Sequence, residues 1–426
     1  MSYEIATERI DLFAPNTHIA MSVLVKGCIS QEALIEAIKI TCNRNEMLCS
    51  KIVIEDSGKA FYERISSPNQ SVILYEHRKE HDWVSIIKEQ ESIPFDIFHG
   101  EMMRFFILNE EEHFRLLLIG HHLVGDGIAF TYIIEDIMLA LSGKIELIMK
   151  PIELFTSKTL PKKYQLSLLL RLMIRFYNKK WKKSGRIFNQ EDYDVIYKHY
   201  WDTRSTDIYL YNVSEDDYRI MREKAKEYKV SINTMLVTAM LKAFQEKASV
   251  GMAVSIRPQG FKGIANYASG LSIDYGYNKH ATFRENASKI HQLIRKKLKE
   301  ERKYFLLEFL EALEPTLIDA TYFAAFADYK NKLALKACKM FGYCGRPKEI
   351  SITNLTKVEI PMEYGEVCIE DFWFIPPLVS NAKRLFGVAT LGNQMNITFH
   401  AENSKEIESI KEFFDLAMKE LHHMEG

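Results

Sequence analysis

The chain has 426 residues, of which 47% are hydrophobic, and its 56 lysines and arginines against 57 aspartates and glutamates leave a formal charge of −1. Such a composition excludes a small stapled scaffold and a disordered chain, because enough apolar side chain is present to bury a large core. The balanced charge argues against nucleic acid as a partner, since phosphate binding normally leaves a strongly basic domain.

The opening segment places Glu4 and Glu8 where a secretory leader needs a basic region followed by an apolar run, and no apolar stretch approaches the ~20 residues of a membrane span. A cytoplasmic location is expected. The six cysteines (Cys28, Cys42, Cys49, Cys338, Cys344 and Cys368) form no CxxC pair. They read as reduced thiols, and no metal site is expected from them.

Taken in chain order, apolar alternation over Ile19 to Val25 predicts a strand. Ala33, Leu34, Ala37 and Ile38 give helical spacing across Gln31 to Thr41. Ser71 to Leu74 reads as another strand. Phe114 to Gly120 is a short continuous apolar run, the pattern of a strand buried on both faces. It is followed by His121-His122-Leu123-Val124-Gly125-Asp126-Gly127 and then by a helical pattern over Ile128 to Leu141.

Between Pro161 and Gln190 the chain carries nine basic residues (Lys162, Lys163, Arg171, Arg175, Lys179, Lys180, Lys182, Lys183 and Arg186) and no acidic one. They surround the apolar stretch from Leu166 to Tyr177. The preferred reading is a helix between halves whose leucine face packs on the core while its lysine face is solvated. Contact of 161–186 with a membrane surface or an acidic partner is the alternative not favoured.

Beyond Thr203, Asp207 to Val213 predicts a strand and Glu215 to Tyr228 a helix. Ile232 to Gln245 predicts a further helix, with Ser231 as its cap. Gly251 to Ile256 reads as strand, Lys289 to Met340 as mostly helical, and Val388 to Phe399 as strand-like alternation. The implied organisation is an N-terminal lobe over 1–150, a basic linking segment over 151–205 and a C-terminal lobe over 206–426.

Chemistry concentrates in the double histidine. An imidazole with a pKa near 6.5 accepts a proton at neutral pH, where a carboxylate is too weak and a lysine already protonated. In a tight loop between strand and helix, one histidine faces a cavity while its neighbour is held inside. Asp126 is a candidate to fix the loop and Gly127 to let backbone or substrate pass closely. Zinc-protease, serine-hydrolase, P-loop and dinucleotide fingerprints are missing from the sequence.

HHLVGDG resembles the HHxxxDG signature of the superfamily that contains chloramphenicol acetyltransferase, the condensation domains of nonribosomal peptide synthetases, plant-type acyltransferases and stand-alone alcohol acetyltransferases. Other segments resemble that family in the same order. Gly27 precedes a helix that ends in Arg44-Asn45-Glu46-Met47-Leu48. Ile93-Pro94-Phe95-Asp96-Ile97 resembles the segment ahead of the active-site strand. Lys229 to Phe244 resembles the helix before the strand that bears an Arg-Pro pair, here Arg257-Pro258. Asp371-Phe372-Trp373-Phe374 matches the plant enzymes' motif only in part, and Thr356 follows Leu355 where glycine is usual.

The resemblance implies an α/β fold with two chloramphenicol-acetyltransferase-like lobes, each a two-layer unit with a mixed sheet, and a tunnel between them. It also implies an acyltransferase that moves an acyl group from a thioester to an alcohol or amine, with no covalent acyl-enzyme and ester formation slightly preferred. His122 would be the general base. Asp126 is grouped with His122 as catalytic and would pair with Arg257, while His121, Gly127 and Arg257 support the site. Asn354 and Trp373 are weak candidates for substrate contacts. No bound cofactor is expected; acyl-coenzyme A or an acyl-phosphopantetheine carrier protein is the co-substrate, and a small molecule is the acceptor. The alternative is a non-catalytic condensation-like scaffold that binds an acidic acyl carrier protein.

Overall fold

The computed structural model describes residues 2–75, 82–110, 112–156, 165–183, 185–341, 348–379, 382, 384–403 and 407–422. Lys162, Lys163, Cys344 and His423 lie outside these residues. In chain order the first part comprises β1 (Ser2–Glu4), α1 (Arg9–Leu12), β2 (His18–Lys26), α2 (Gln31–Arg44), β3 (Ser50–Ile54), β4 (Ala60–Arg64), β5 (Ser71–Tyr75), α3 (Asp82–Glu91), β6 (Met103–Glu110), β7 (His113–His121), α4 (Gly127–Leu141), α5 (Leu168–Trp181) and α6 (Gln190–Trp201). The remainder comprises β8 (Thr206–Val213), α7 (Glu215–Tyr228), α8 (Ile232–Phe244), β9 (Lys247–Ser255), β10 (Ala268–Gly276), α9 (Phe283–Lys299), α10 (Phe305–Ala312), α11 (Pro315–Phe326), α12 (Lys332–Phe341), β11 (Ile350–Lys357), β12 (Glu363–Tyr364), β13 (Val367–Ile375), β14 (Arg384–Leu391), β15 (Gln394–Glu402) and α13 (Ile407–His422).

Two six-stranded mixed sheets organise the chain. The first runs β12-β13-β2-β7-β6-β5 and the second β10-β9-β11-β14-β15-β8, with a small three-stranded sheet β1-β4-β3 beside the first. In the first sheet β5 and β6 are parallel; in the second, β11 is parallel to both β9 and β14. The α/β expectation with two mixed-sheet lobes therefore holds. Each sheet has its own apolar core. The first gathers Leu116, Leu118, Phe130 and Ile134, and the second Leu236, Met240, Val250 and Ile397.

Local chemistry explains most helix starts. Ser30, Asp126, Ser214, Ser231 and Thr282 each accept a backbone N–H two or three residues into the helix they precede, which satisfies a donor the helix leaves open. The continuous apolar run of β7 is central, hydrogen-bonded antiparallel to β2 and β6, and all but its first residue is buried.

The lobes do not follow the division of the chain at 205. Strand β13 pairs with β2, with Ile375 opposite Ala20, and α10 and α11 contribute Leu310, Leu317 and Phe323 to the first core. A segment late in the sequence thus completes the first sheet. The alternation from Val388 to Phe399 is not one strand but the two arms of the β14–β15 hairpin, which turns at Gly392 with φ +60°. Both arms keep the two-residue period, so the sequence pattern hides the turn.

Helix α5 departs from its expected packing. Its buried face is Ile174 and Trp181 with the half-buried Leu170 and Tyr177, and it docks through Asn178 Nδ2 to the Ala312 carbonyl (2.9 Å) and Trp181 Nε1 to Thr316 Oγ1 (2.8 Å). The face bearing Leu168, Leu172 and Phe176 is left exposed. The bulky indole and its hydrogen bond set the docking face, and the leucines lie on the other side. A second correction concerns the thiols: Cys28, Cys42, Cys49 and Cys368 are free, but Cys338 is disulfide-bonded. Bridging depends on two Cα atoms coming within roughly 4.4–6.8 Å, which chain path decides and spacing in the sequence does not. Among the described residues no helix is long and apolar enough to cross a membrane.

Candidate functional site

Two loops from different lobes meet over the double histidine. One joins β7 to α4 and carries His122 to Asp126, directly after His121; the other joins β9 to β10 and carries Arg257 to Tyr267.

His121 closes β7 opposite His18 of β2 and is fully buried. Its Nδ1 accepts from the Leu123 N–H (3.2 Å), so the proton sits on Nε2, which faces Thr17 Oγ1 at 3.2 Å. Phe95, from the Pro-Phe-Asp segment, stands edge-on to the ring at 6.2 Å. Burial, with a smaller contribution from His122, holds the His121 pKa down to about 3. The ring is therefore neutral and structural at ordinary pH.

His122 points the other way, with 16% of its side chain exposed. Its Nδ1 lies 3.2 Å from Asn266 Nδ2 and 3.6 Å from Asp11 Oδ2. Among the described residues, no hydrogen bond engages Nε2. The Asn266 amide is oriented by its own Oδ1, which accepts from the Ala268 N–H, and its Nδ2 also reaches Asp11 Oδ2 at 3.3 Å. Two groups thus compete over Nδ1. The amide N–H favours a bare Nδ1, whereas an ionised Asp11 favours an Nδ1–H and stabilises the imidazolium.

Asp11 and Asn266 were missed by sequence reasoning. Asp11 sits on α1, four residues with no periodic signal, and Asn266 is separated from His122 by 144 residues. Burial raises the Asp11 carboxyl above its ordinary value, with His122 and Asn266 pulling it back. Next to it, burial pushes Glu8 up to about 7, with Asp11 and Glu311 adding repulsion. Its own backbone N–H and Thr7 pull the carboxyl back only in part.

Asp126 caps α4 and ties the two loops together. Its Oδ1 accepts from the Ala129 N–H (2.8 Å) and from Arg257 Nη2 (2.9 Å), and its Oδ2 accepts from the Tyr267 N–H (2.9 Å). Arg257 also donates to the carbonyls of Gly263 (2.6 Å) and Ala265 (2.9 Å), and its guanidinium lies 5.0 Å from the Tyr267 ring centroid. The ion pair implied by the motif is present. Its oxygens serve the helix cap and the second loop.

Gly127 is required by close approach. A Cβ there would meet Leu355 Cδ2 at 2.8 Å and the Phe374 ring at 3.0 Å. Leu355 and Phe374 thus come to the loop where Asn354 and Trp373 were the sequence candidates. Asn354 Oδ1 accepts from the Thr356 N–H (2.7 Å), and its Nδ2 reaches Asn233 of α8. Trp373 is buried, donates Nε1–H to Asp371 Oδ2 (2.6 Å) and packs against Trp83, so it is a core residue. The Arg44-Asn45 turn is also structural: both side chains bond Asp136 of α4, which anchors the helix that follows the site loop.

Comparison with known proteins finds no matching family model and no matching curated relative. Solved structures do match over nearly the full chain. Polyketide synthase associated protein 5 from Mycobacterium tuberculosis superposes with a TM-score of 0.63 at 14% identity, covering 98% of this chain and 97% of that one. The first condensation domain of the CDA synthetase gives a TM-score of 0.67 at 10% identity over 99% and 94% of the two chains. The epimerization domain from the third module of tyrocidine synthetase B gives 0.64 at 14% over 100% and 96%. The chain has the two-lobed fold of condensation domains, the fold its histidine motif implies.

Proposed function

We propose that this protein is an acyltransferase in which His122 is the general base. The observation that carries the reading is the asymmetry of the His122 ring: Nδ1 is held between Asn266 and Asp11 from two lobes, and Nε2 is unengaged among the described residues. In this scheme Asp11 keeps the ring proton on Nδ1, so the bare Nε2 takes the proton from an acceptor hydroxyl or amine, and the acceptor oxygen or nitrogen attacks the thioester carbonyl. The tetrahedral intermediate then expels the thiolate, which recovers the proton from the imidazolium. Products are an ester or amide and a free thiol, with no acyl-enzyme. Asp11 stabilises the transient imidazolium, and the Asp126–Arg257 pair fixes the loop that carries it.

Donor and acceptor reach His122 along the tunnel between lobes that the motif implies, the donor as acyl-coenzyme A or an acyl-carrier thioester, with an alcohol acceptor preferred. The test is acceptor-dependent thiol release from a panel running from acetyl- to palmitoyl-coenzyme A, with mixed alcohols and amines. His122→Ala lowers turnover by roughly 10²–10⁴, the usual worth of a general base. A loss of less than about tenfold removes His122 from that role.

A further inference from the structure

Helix α5 stands out as an exposed apolar ridge. Leu168, Leu172 and Phe176, at i, i+4 and i+8, are 68%, 51% and 54% exposed, and beside them Leu169 and Met173 are 79% and 39% exposed. These five side chains occupy the face opposite Leu170, Ile174, Tyr177 and Trp181, which hold the helix on the protein. Large apolar residues clustered outward mark an interaction surface, because isolated exposure is normal but a continuous stripe is not.

The charge carried by α5 itself is of one sign. Arg171 and Arg175 lie along one edge of the ridge and Lys179 at its C-terminal end; with Lys183, none of them forms an ion pair among the described residues. The Lys180 ammonium lies 4.4 Å from the Phe176 ring centroid, so a cation borders the apolar strip itself. Lys182 pairs with Glu314 and Arg186 with Asp192.

We propose that α5 docks this protein on an anionic lipid surface, with Leu168, Leu169, Leu172, Met173 and Phe176 entering the headgroup and acyl boundary and Arg171, Arg175 and Lys179 meeting lipid phosphates. A bilayer is favoured over a folded partner by shape. The exposed side chains project outward along a single helix, whereas protein partners place their strongest contacts in packed, desolvated pockets. A deformable interface accepts such a ridge, and an amphipathic helix lying in the plane with cations beside its apolar face is the arrangement it selects.

The experiment is cosedimentation of the full chain with phosphatidylcholine vesicles containing phosphatidylglycerol, and with phosphatidylcholine alone. Binding is expected to the anionic vesicles, to weaken with added salt, and to fall roughly tenfold or more in an Arg171→Glu, Arg175→Glu, Lys179→Glu variant. A Leu169→Gln, Leu172→Gln, Phe176→Gln variant, built from good helix formers at exposed positions, should lose vesicle binding with unchanged thermal unfolding. Failure of the wild type to bind anionic vesicles overturns the proposal, as does binding that neither variant changes. Salt-sensitive association with a purified acidic acyl carrier protein in place of vesicles overturns it in favour of a protein partner. Thiol release in solution is read separately, so loss of docking and loss of acyl transfer are distinguishable.

Discussion

Removing the Arg257 side chain tests how the site loop is held. In Arg257→Ala, Asp126 keeps two donors, the Ala129 and Tyr267 N–H groups at 2.8 and 2.9 Å, but loses its counter-charge in a place where both partners are only 5% exposed. The carbonyls of Gly263 and Ala265 lose their guanidinium donor as well. Breaking one side of a buried pair costs about 3–5 kcal/mol, and the two surviving N–H donors place this case toward the lower end. Asp126→Asn preserves a cap acceptor but turns one N–H toward the Tyr267 N–H or the guanidinium, a mismatch worth about 1–3 kcal/mol on top of the unpaired charge. Arg257→Lys falls between, because a point ammonium does not serve a carboxylate and two carbonyls together. The assay is denaturant unfolding of the two single variants and the double variant, read beside thiol release. The singles should lower stability and turnover together, with a coupling energy of at least about 1.5 kcal/mol in the cycle. An Arg257→Ala protein that unfolds like wild type yet does not turn over would refute the reasoning and make Arg257 a substrate contact.

Further expectations concern the acids around His122. Charges 3.6 Å apart interact by about 1 kcal/mol in water and 4–5 kcal/mol at an effective dielectric constant near 20, so Asp11→Asn should lower kcat by roughly tenfold or more. Because burial raises the Asp11 pKa, wild-type activity should fall on the acid side at a pH above the ordinary carboxylate range. That limb should move in Asp11→Asn; a pH profile that stays where it was in the variant assigns the limb elsewhere. Glu8 bears on stability. With its pKa displaced from 4.5 to about 7, the folded chain retains the proton across that window, so the Glu8 contribution to stability is complete below pH 4.5 and is lost as pH rises through about 7. The displacement corresponds to about 3 kcal/mol, and Glu8→Gln should remove that pH dependence and be the more stable protein above neutrality. An unchanged slope in the variant would show that Glu8 is not its source.

The sequence by itself determined what depends on neighbours along the chain. The run from Phe114 to Gly120 is apolar throughout and became the central strand. Ser30, Ser231 and Asp126 carry side chains that satisfy helix donors three residues ahead, so α2, α8 and α4 begin where their caps stand. His121 and His122 on a short loop after that strand already separate into one ring turned inward and one outward. The Asp126–Arg257 pair, 131 residues apart, was legible only through the motif.

Only the tertiary structure decided what reaches those elements from elsewhere. Asp11 and Asn266 carry no mark in their own surroundings, and they become groups around His122 because α1 and the β9–β10 loop fold onto the β7–α4 loop. Trp373 and Phe374 are adjacent aromatic residues on β13, and the alternation of a strand sends one into the core against Trp83 and brings the other to Gly127. On α5 the sequence offers two apolar faces, Leu168-Leu172-Phe176 and Leu170-Ile174-Trp181, and helical periodicity alone does not choose between them. The Trp181 hydrogen bond to Thr316 and the packing of Ile174 chose the second and left the first facing outward. Periodicity fixes which residues share a face; long-range packing fixes what that face meets.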